Sequence, residues 1–324
     1  MDKQNFLALL QQNYERISNF FGYDMATAIR IPLAIQYSFS GKTFSGVEFE
    51  KTTEKLQKEN AKQPFFDLLS NFSSTSTLSY KLAAYLVLHK ESQQEVGRLI
   101  ENNHHLIAAG FKKSPYQQIA SIFLNDAAHA KRAKNLHEEM KKQHYFLTGK
   151  DDIPYAVLLT QEMGNVQTQA QTMRTYYDRL VDEGFKGGDY LQAACQLLTL
   201  YDDQFQETFV DYFSALKTAL TSKDIQVKKR HYPYLAVLAL TASTTEVINN
   251  VAEMTKALLV LKMYQGDKVY ALMTAIHYVV FEMIEAETLV QLTDISLLME
   301  ALEVSGFLLD FTFSCGLDIL DLLT

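Results

Sequence analysis

Apolar residues recur at three- and four-residue steps through most of this chain, as they do in helices that bury one face. Four stretches show the pattern in a common register: Tyr80-Lys-Leu-Ala-Ala-Tyr-Leu-Val, Tyr116-Gln-Gln-Ile-Ala-Ser-Ile-Phe, Tyr190-Leu-Gln-Ala-Ala-Cys-Gln-Leu and Tyr234-Leu-Ala-Val-Leu-Ala-Leu-Thr. Each places apolar or small residues three, four and seven positions after its tyrosine. Between them lie more polar segments that are apolar only at every third or fourth place, such as Val96, Leu99, Ile100 and Val247, Val251, Met254, Leu258. No stretch alternates in the manner of a strand. The pattern predicts an all-α chain in which an apolar first helix pairs with an amphipathic second one.

The punctuation gives the period. Pro115, Pro154 and Pro233 each precede a tyrosine, and Tyr80, Tyr190 and Tyr270 open similar runs. The six tyrosines are spaced 36, 39, 35, 44 and 36 residues apart, and repeats of this length indicate stacked helical units. Glycine at Gly110 and Gly184 suits the end of a helix, and Pro115 suits the first position of the next. Ser114 with Gln117, and Asp189 with Gln192, have the spacing of reciprocal N-terminal caps. The expected fold is therefore stacked antiparallel helix pairs forming a short right-handed superhelix, α-solenoid-like, with repeats of about 35–44 residues. Three segments are expected in one continuous unit: an N-terminal helical part over 1–75 with a Ser/Thr-rich linker near Ser70–Ser79, a helix-pair region over 76–268, and a C-terminal cap over 269–324.

Charge sharpens the last division. The formal net charge is -8, yet residues 269–324 contain no Lys or Arg and nine acids, so the acidity is concentrated there. That segment is also strongly apolar. It predicts either a buried cap for the stack or a surface for a homodimer or another partner. The longest uncharged apolar run, Val269 to Phe281, falls short of the roughly 20 residues of a membrane span, and no secretion signal is legible at the N-terminus. Two cysteines cannot build a disulfide framework, which suits a cytoplasmic location. Overall acidity makes RNA an unfavoured partner.

Candidate chemistry is sparse. No phosphate loop, dinucleotide fingerprint, Gly-x-Ser-x-Gly or His-Glu-x-x-His is present. His137 and His144 share a helix face, but Lys141 at the i+4 position from His137 opposes a cation, so no metal and no cofactor are expected. The recurring tyrosines read as packing between units. The strongest lead is basic: Lys112, Lys113, Lys141, Lys142, Lys150, Lys186, Lys228, Lys229 and Arg230 all lie near the ends of second helices or in the turns that follow. In a helix-pair stack these turns line one edge. An acidic partner would meet them there, although cations also gather at helix C-termini through the dipole alone.

The stretch Met140-Lys-Lys-Gln-His-Tyr-Phe-Leu-Thr-Gly-Lys-Asp-Asp-Ile-Pro154 resembles the main motif of a family of uncharacterised bacterial proteins, chiefly Gram-positive, known as domain of unknown function 4003. Gly184-Phe-Lys-Gly-Gly-Asp-Tyr-Leu-Gln192 is similar to its second motif. The resemblance implies a cytoplasmic bacterial protein, implies no activity, and points to His144, Thr148, Asp151, Asp152 and Gln192 as positions of interest. It also implies a Ser-His pair soon after the glutamine, where this chain has Ala194-Cys195. Asp152 and Asp189 themselves sit where helix N-caps are expected.

The expected function is a non-enzymatic scaffold that binds a protein or peptide, with Lys112, Lys113, Lys141, Lys142, His144, Lys150, Asp151, Asp152, Lys186, Lys228, Lys229 and Arg230 as its contact residues. Two alternatives stand beside it: a single-stranded RNA-binding repeat, and an enzyme with a site near His144 and Asp151.

Overall fold

A computed structural model describes residues 1–62, 77–88, 92–241, 244–285 and 295–308. Among these the protein is all α-helical, without strands. The helices are α1 (Lys3–Phe21), α2 (Thr27–Phe39), α3 (Gly46–Lys62), α4 (Thr77–Leu88), α5 (Ser92–Ala108), α6 (Pro115–Ala120), α7 (Ala127–Gln143), α8 (Ile153–Leu158), α9 (Val166–Asp182), α10 (Asp189–Leu198), α11 (Glu207–Thr221), α12 (Tyr232–Thr241), α13 (Thr245–Leu259), α14 (Val269–Glu285) and α15 (Ile295–Leu308). Most of the Ser/Thr-rich linker falls outside the described residues.

Local chemistry sets the helix limits. The Asp2 carboxylate accepts the Asn5 amide and caps α1, whose buried face carries Phe6, Leu10 and Ile17. Gly110 (φ +98°) and Gly184 (φ +82°) end α5 and α9 in the left-handed region, where a side chain costs about 1–2 kcal/mol. Behind them the Phe111 amide donates to Leu106 O and the Phe185 amide to Leu180 O, which satisfies the last carbonyls. Ser114 caps α6 through the Gln117 amide.

The expected cap reciprocity is not formed. The Gln117 side chain turns to Asn103 instead of back to Ser114. At α10 the residue before the helix is Gly188, so Asp189 lies inside the first turn. The Gln192 side chain goes elsewhere, as described below.

Two classes of helix follow from the two hydrophobic patterns. All of Tyr232–Thr241 in α12 is buried, and α8 is buried from end to end; a helix apolar all round belongs in an interior. By contrast α9 buries Ala170, Met173, Tyr176 and Leu180 on one side and turns its charges outward. The apolar helices are neighbours of one another, α2 with α4, α6 with α8, α10 with α12 and α12 with α14. Amphipathic α5, α7, α9, α11 and α13 pack outside them in series.

The series returns to its start, because α14 packs on α2. Phe6 meets Tyr278 with ring centroids 4.9 Å apart, Phe39 stacks on His277 at 3.8 Å, and the Tyr278 hydroxyl donates to Met1 O at 3.1 Å. Inside the apolar helices lies α15, which touches α6, α8, α12 and α14. It is tied to α4 by Lys81 Nζ, which donates to Gly306 O at 2.7 Å. Ala301, Leu302, Val304 and Ser305 are buried there. For the described part of the C-terminal segment, the apolar excess is thus covered by the chain's own inner helices; residues 286–294 and 309–324 lie outside the described residues. Among the described residues no helix is long and apolar enough to cross a membrane.

Candidate functional site

The candidate site is the connection from α7 to α8, and it starts from how α7 stops. His144 leaves the helical region (φ -134°, ψ 66°) after its amide donates to Met140 O at 2.8 Å. The amides of Leu147 and Thr148 then both donate back to His144 O, at 3.2 and 2.9 Å, which folds the chain into a tight turn. Gly149 follows, packed closely enough that a Cβ there would lie 2.6 Å from Asp151 Oδ1 and would push that carboxylate aside.

Asp152 fixes the far side of the turn. It holds the N-cap position of α8, as expected, but its side chain makes no cap hydrogen bond. Instead Oδ2 accepts the Gly149 amide at 2.7 Å, and Oδ1 accepts Gln192 Nε2 at 2.8 Å and Gln196 Nε2 at 2.5 Å, both from α10. The reason is position. With the carboxylate almost wholly buried, an interior ion needs several donors, and α10 supplies two from successive turns of one face. From outside, His137 Nε2 pairs with Gly149 O at 2.7 Å.

Burial shapes the titration of this group. It pushes the Asp152 carboxyl up, against the pull of the Gln196, Gly149 and Gln192 donors and of His137. Asp151 is pushed up to about 8 by burial and by the neighbouring charges of Asp152 and Asp189. His137 and His144 are both pulled down, chiefly by burial. His144 lies edge-on to Tyr177 at 4.6 Å. The groups that act on its ring are Arg174, Asp178 and Gln192, whereas His137 is the histidine that feels Asp152. Among the described residues no three His, Cys, Asp or Glu side chains converge tightly enough to hold a metal ion. Both Asp152 oxygens face protein donors, so the network is built to hold the turn.

What the turn holds out is apolar. Tyr145 is 68% exposed and Phe146 96% exposed, with their rings perpendicular at 5.5 Å. Lys141 Nζ stands 5.5 Å from the Tyr145 ring, Lys142 pairs with Glu139 on the surface, and Lys150 is exposed beyond the turn. The other basic candidates, Lys112, Lys113, Lys186 and Lys228 (exposed) and Lys229 and Arg230 (half-buried), precede α6, α10 and α12. Short connections make successive helices antiparallel. The turns before α6, α8, α10 and α12 therefore share one end of the molecule, where the N-terminal dipole ends of these helices also point.

Gln192, Asp151 and Asp152 are thus brought together with Asp189. Gln196 and the exposure of Phe146 were not expected. The i+4 spacing of Gln196 from Gln192 was the available sign for the first; nothing in an apolar residue's identity marks the second.

The model of the family described as "Protein of unknown function (DUF4003)" matches residues 13–304. A Bacillus subtilis (strain 168) protein carrying the name "Uncharacterized protein YeaA" is 29% identical over 194 residues, 54% of this chain and 59% of that protein. The match therefore spans about three-fifths of the relative's length. No solved structure matches this chain.

Proposed function

We propose that this chain, which belongs to the family of unknown function DUF4003, is a binding protein that docks an acidic protein or peptide on the Tyr145–Phe146 turn. The observation that supports the reading is an almost fully exposed Phe146 beside Tyr145, on a turn pinned from beneath by the Asp152 network. Removing one such ring from water is worth about 1.5–3 kcal/mol, and a preformed turn avoids the ordering cost that weakens flexible binders. Aromatic side chains of this kind are the usual energetic centres of interfaces. Lys141, Lys142, Lys150 and the basic turns at the same end supply charge complementary to acids, and raise the encounter rate more than the final affinity. Binding of this kind needs no reaction, and no catalytic role is assigned to Asp151, Asp152 or His144.

The test is selection from a displayed library of random peptides against the folded protein. The reading expects enriched peptides that join clustered Asp or Glu to an aromatic or aliphatic residue. Their binding should weaken with salt and fall at least about tenfold in Phe146→Ser, the cost of losing a buried anchor. Enrichment of peptides without acids, or equal binding by Phe146→Ser, rejects it. RNA is the other polyanion that exposed aromatics and lysines can hold. A gel shift with mixed-sequence RNA at low salt that is lost in the same variant would replace the peptide reading with that one.

A further inference from the structure

A separate feature lies where the ends of the series meet. Between α2, α4, α12, α14 and α15 lies a partly open cavity of about 390 Å³. Its walls are mostly apolar, with Ile35, Phe39, Met273, Phe281 and Leu302 among them. A cavity of this size, mainly apolar with a few polar groups, has the form of a small-molecule site.

The polar groups that face it decide the ligand's charge. His277 stacks on Phe39, and burial holds its imidazole down at about 3, so it is neutral. Among the described residues its Nε2 is buried without a hydrogen-bond partner. Tyr85 is pushed up by burial and nearby acids and stays a neutral phenol; Tyr234 and Tyr270 also line the wall. Lys81 is 3% exposed, and its Nζ ties α4 to Gly306 O of α15, so it serves the wall itself. Glu303, on the exposed side of α15, is pushed up to about 7 by burial and by Glu300. That leaves Lys42. It is half-buried, and its ammonium donates to Leu88 O at the end of α4, with no carboxylate among the described residues in ion-pair reach. An ammonium carries three donors, so two remain.

We infer that this cavity binds a small amphipathic anion, its apolar body among Phe39, Met273 and Phe281 and its acidic head on Lys42. The site is independent of the Tyr145–Phe146 turn, since it is built from other helices.

The experiment uses three molecules with the same tail and different heads: sodium decanoate, decan-1-ol and decylamine, each titrated calorimetrically into the full chain. Decanoate is expected to bind at a single site, and the alcohol and the amine more weakly, by about tenfold or more, through loss of the charge-assisted contact. Lys42→Met should erase the preference for decanoate and leave the alcohol's Kd unchanged. Ile35→Trp, at a half-buried position on the wall, should block all three while circular dichroism and melting remain those of a folded protein. Equal affinity for the three heads, or a preference unaltered in Lys42→Met, overturns the anion assignment. Absence of binding by any of the three, or binding unaffected by Ile35→Trp, overturns the site itself.

Discussion

The α7–α8 turn and the seam between α2 and α14 are both long-range junctions, and they are held by opposite means. At the turn the chain buries a carboxylate and surrounds it with three N–H donors, two of which come from residues 40 and 44 positions away. At the seam it buries aromatic rings: Phe6 against Tyr278, Phe39 against His277, with a cavity left beside them. The difference follows from what each must fix. Hydrogen bonds are directional and specify the path of a loop, whereas ring packing is tolerant in direction and joins whole helices. The turn is therefore exact and presents an exposed side chain. The seam is adhesive and leaves space.

This contrast can be broken at its strongest point first. Phe6 is 1% exposed at the seam, and Phe6→Ala should destabilise by about 3–5 kcal/mol, through lost burial and the hole left behind. Urea unfolding followed by circular dichroism reads it; a loss below about 1 kcal/mol would show that α1 and α14 are not joined as described. Asp152→Ala should cost somewhat less, about 2–4 kcal/mol, by leaving the Gly149, Gln192 and Gln196 donors buried without an acceptor. Asp152→Asn keeps the shape and should cost less than Asp152→Ala in the same unfolding series.

Titration separates the two regions further. Asp151 keeps its proton to about pH 8 when folded, whereas an unfolded aspartate releases it near pH 4. The folded state thus binds more protons across that interval. Asp151's contribution to stability is complete below about pH 4 and is lost as pH rises towards 8. His137 and His144 have the opposite sign: their pKa values are lowered on folding, so stability gained from them grows as pH rises through about 6.5. Asp151→Asn isolates the acid. Relative to the wild type, its stability should rise by roughly 1 kcal/mol or more between pH 5 and pH 8. A difference independent of pH would mean that Asp151 is ionised in the folded protein.

The smallest effects on stability belong to the exposed surface. Phe146→Ser and the pair Lys141→Glu with Lys142→Glu should leave the unfolding free energy within about 0.5 kcal/mol, since neither ring nor lysines hold the fold. Both should weaken peptide binding, the aromatic change by more, and the charge reversal should act chiefly on the association rate, read by stopped-flow mixing. A large loss of stability in Phe146→Ser would mean that its ring is packed in solution.

Much of the fold was legible because it follows from local rules. The six spaced tyrosines each fall in an apolar inner helix, Gly110 and Gly184 end helices in the left-handed region, and Ser114 caps α6. The candidate site was legible in part. The motif residues Asp151, Asp152 and Gln192 do meet, but the cap assigned to Asp152 from its place before α8 is absent, because capping spacing cannot reveal a competing donor on α10. An apolar C-terminal segment reads equally as a cap or as a partner surface, since burial by one's own chain and by another obey the same physics. The packing of α15 on the inner helices buries Ala301, Leu302, Val304 and Ser305 within the chain itself.

Amide hydrogen exchange at Thr148 and Gly149, in wild type and in Gln196→Leu, tests most directly whether the buried network holds the aromatic turn. In the wild type both amides are bonded, to His144 O and Asp152 Oδ2, and should exchange slowly beside a fully solvated Phe146 side chain. Gln196→Leu should accelerate both amides and leave the seam helices α1 and α14 unchanged. Exchange of Thr148 and Gly149 at the rate of an open loop in the wild type would contradict the account, and with it the case for a preformed docking turn.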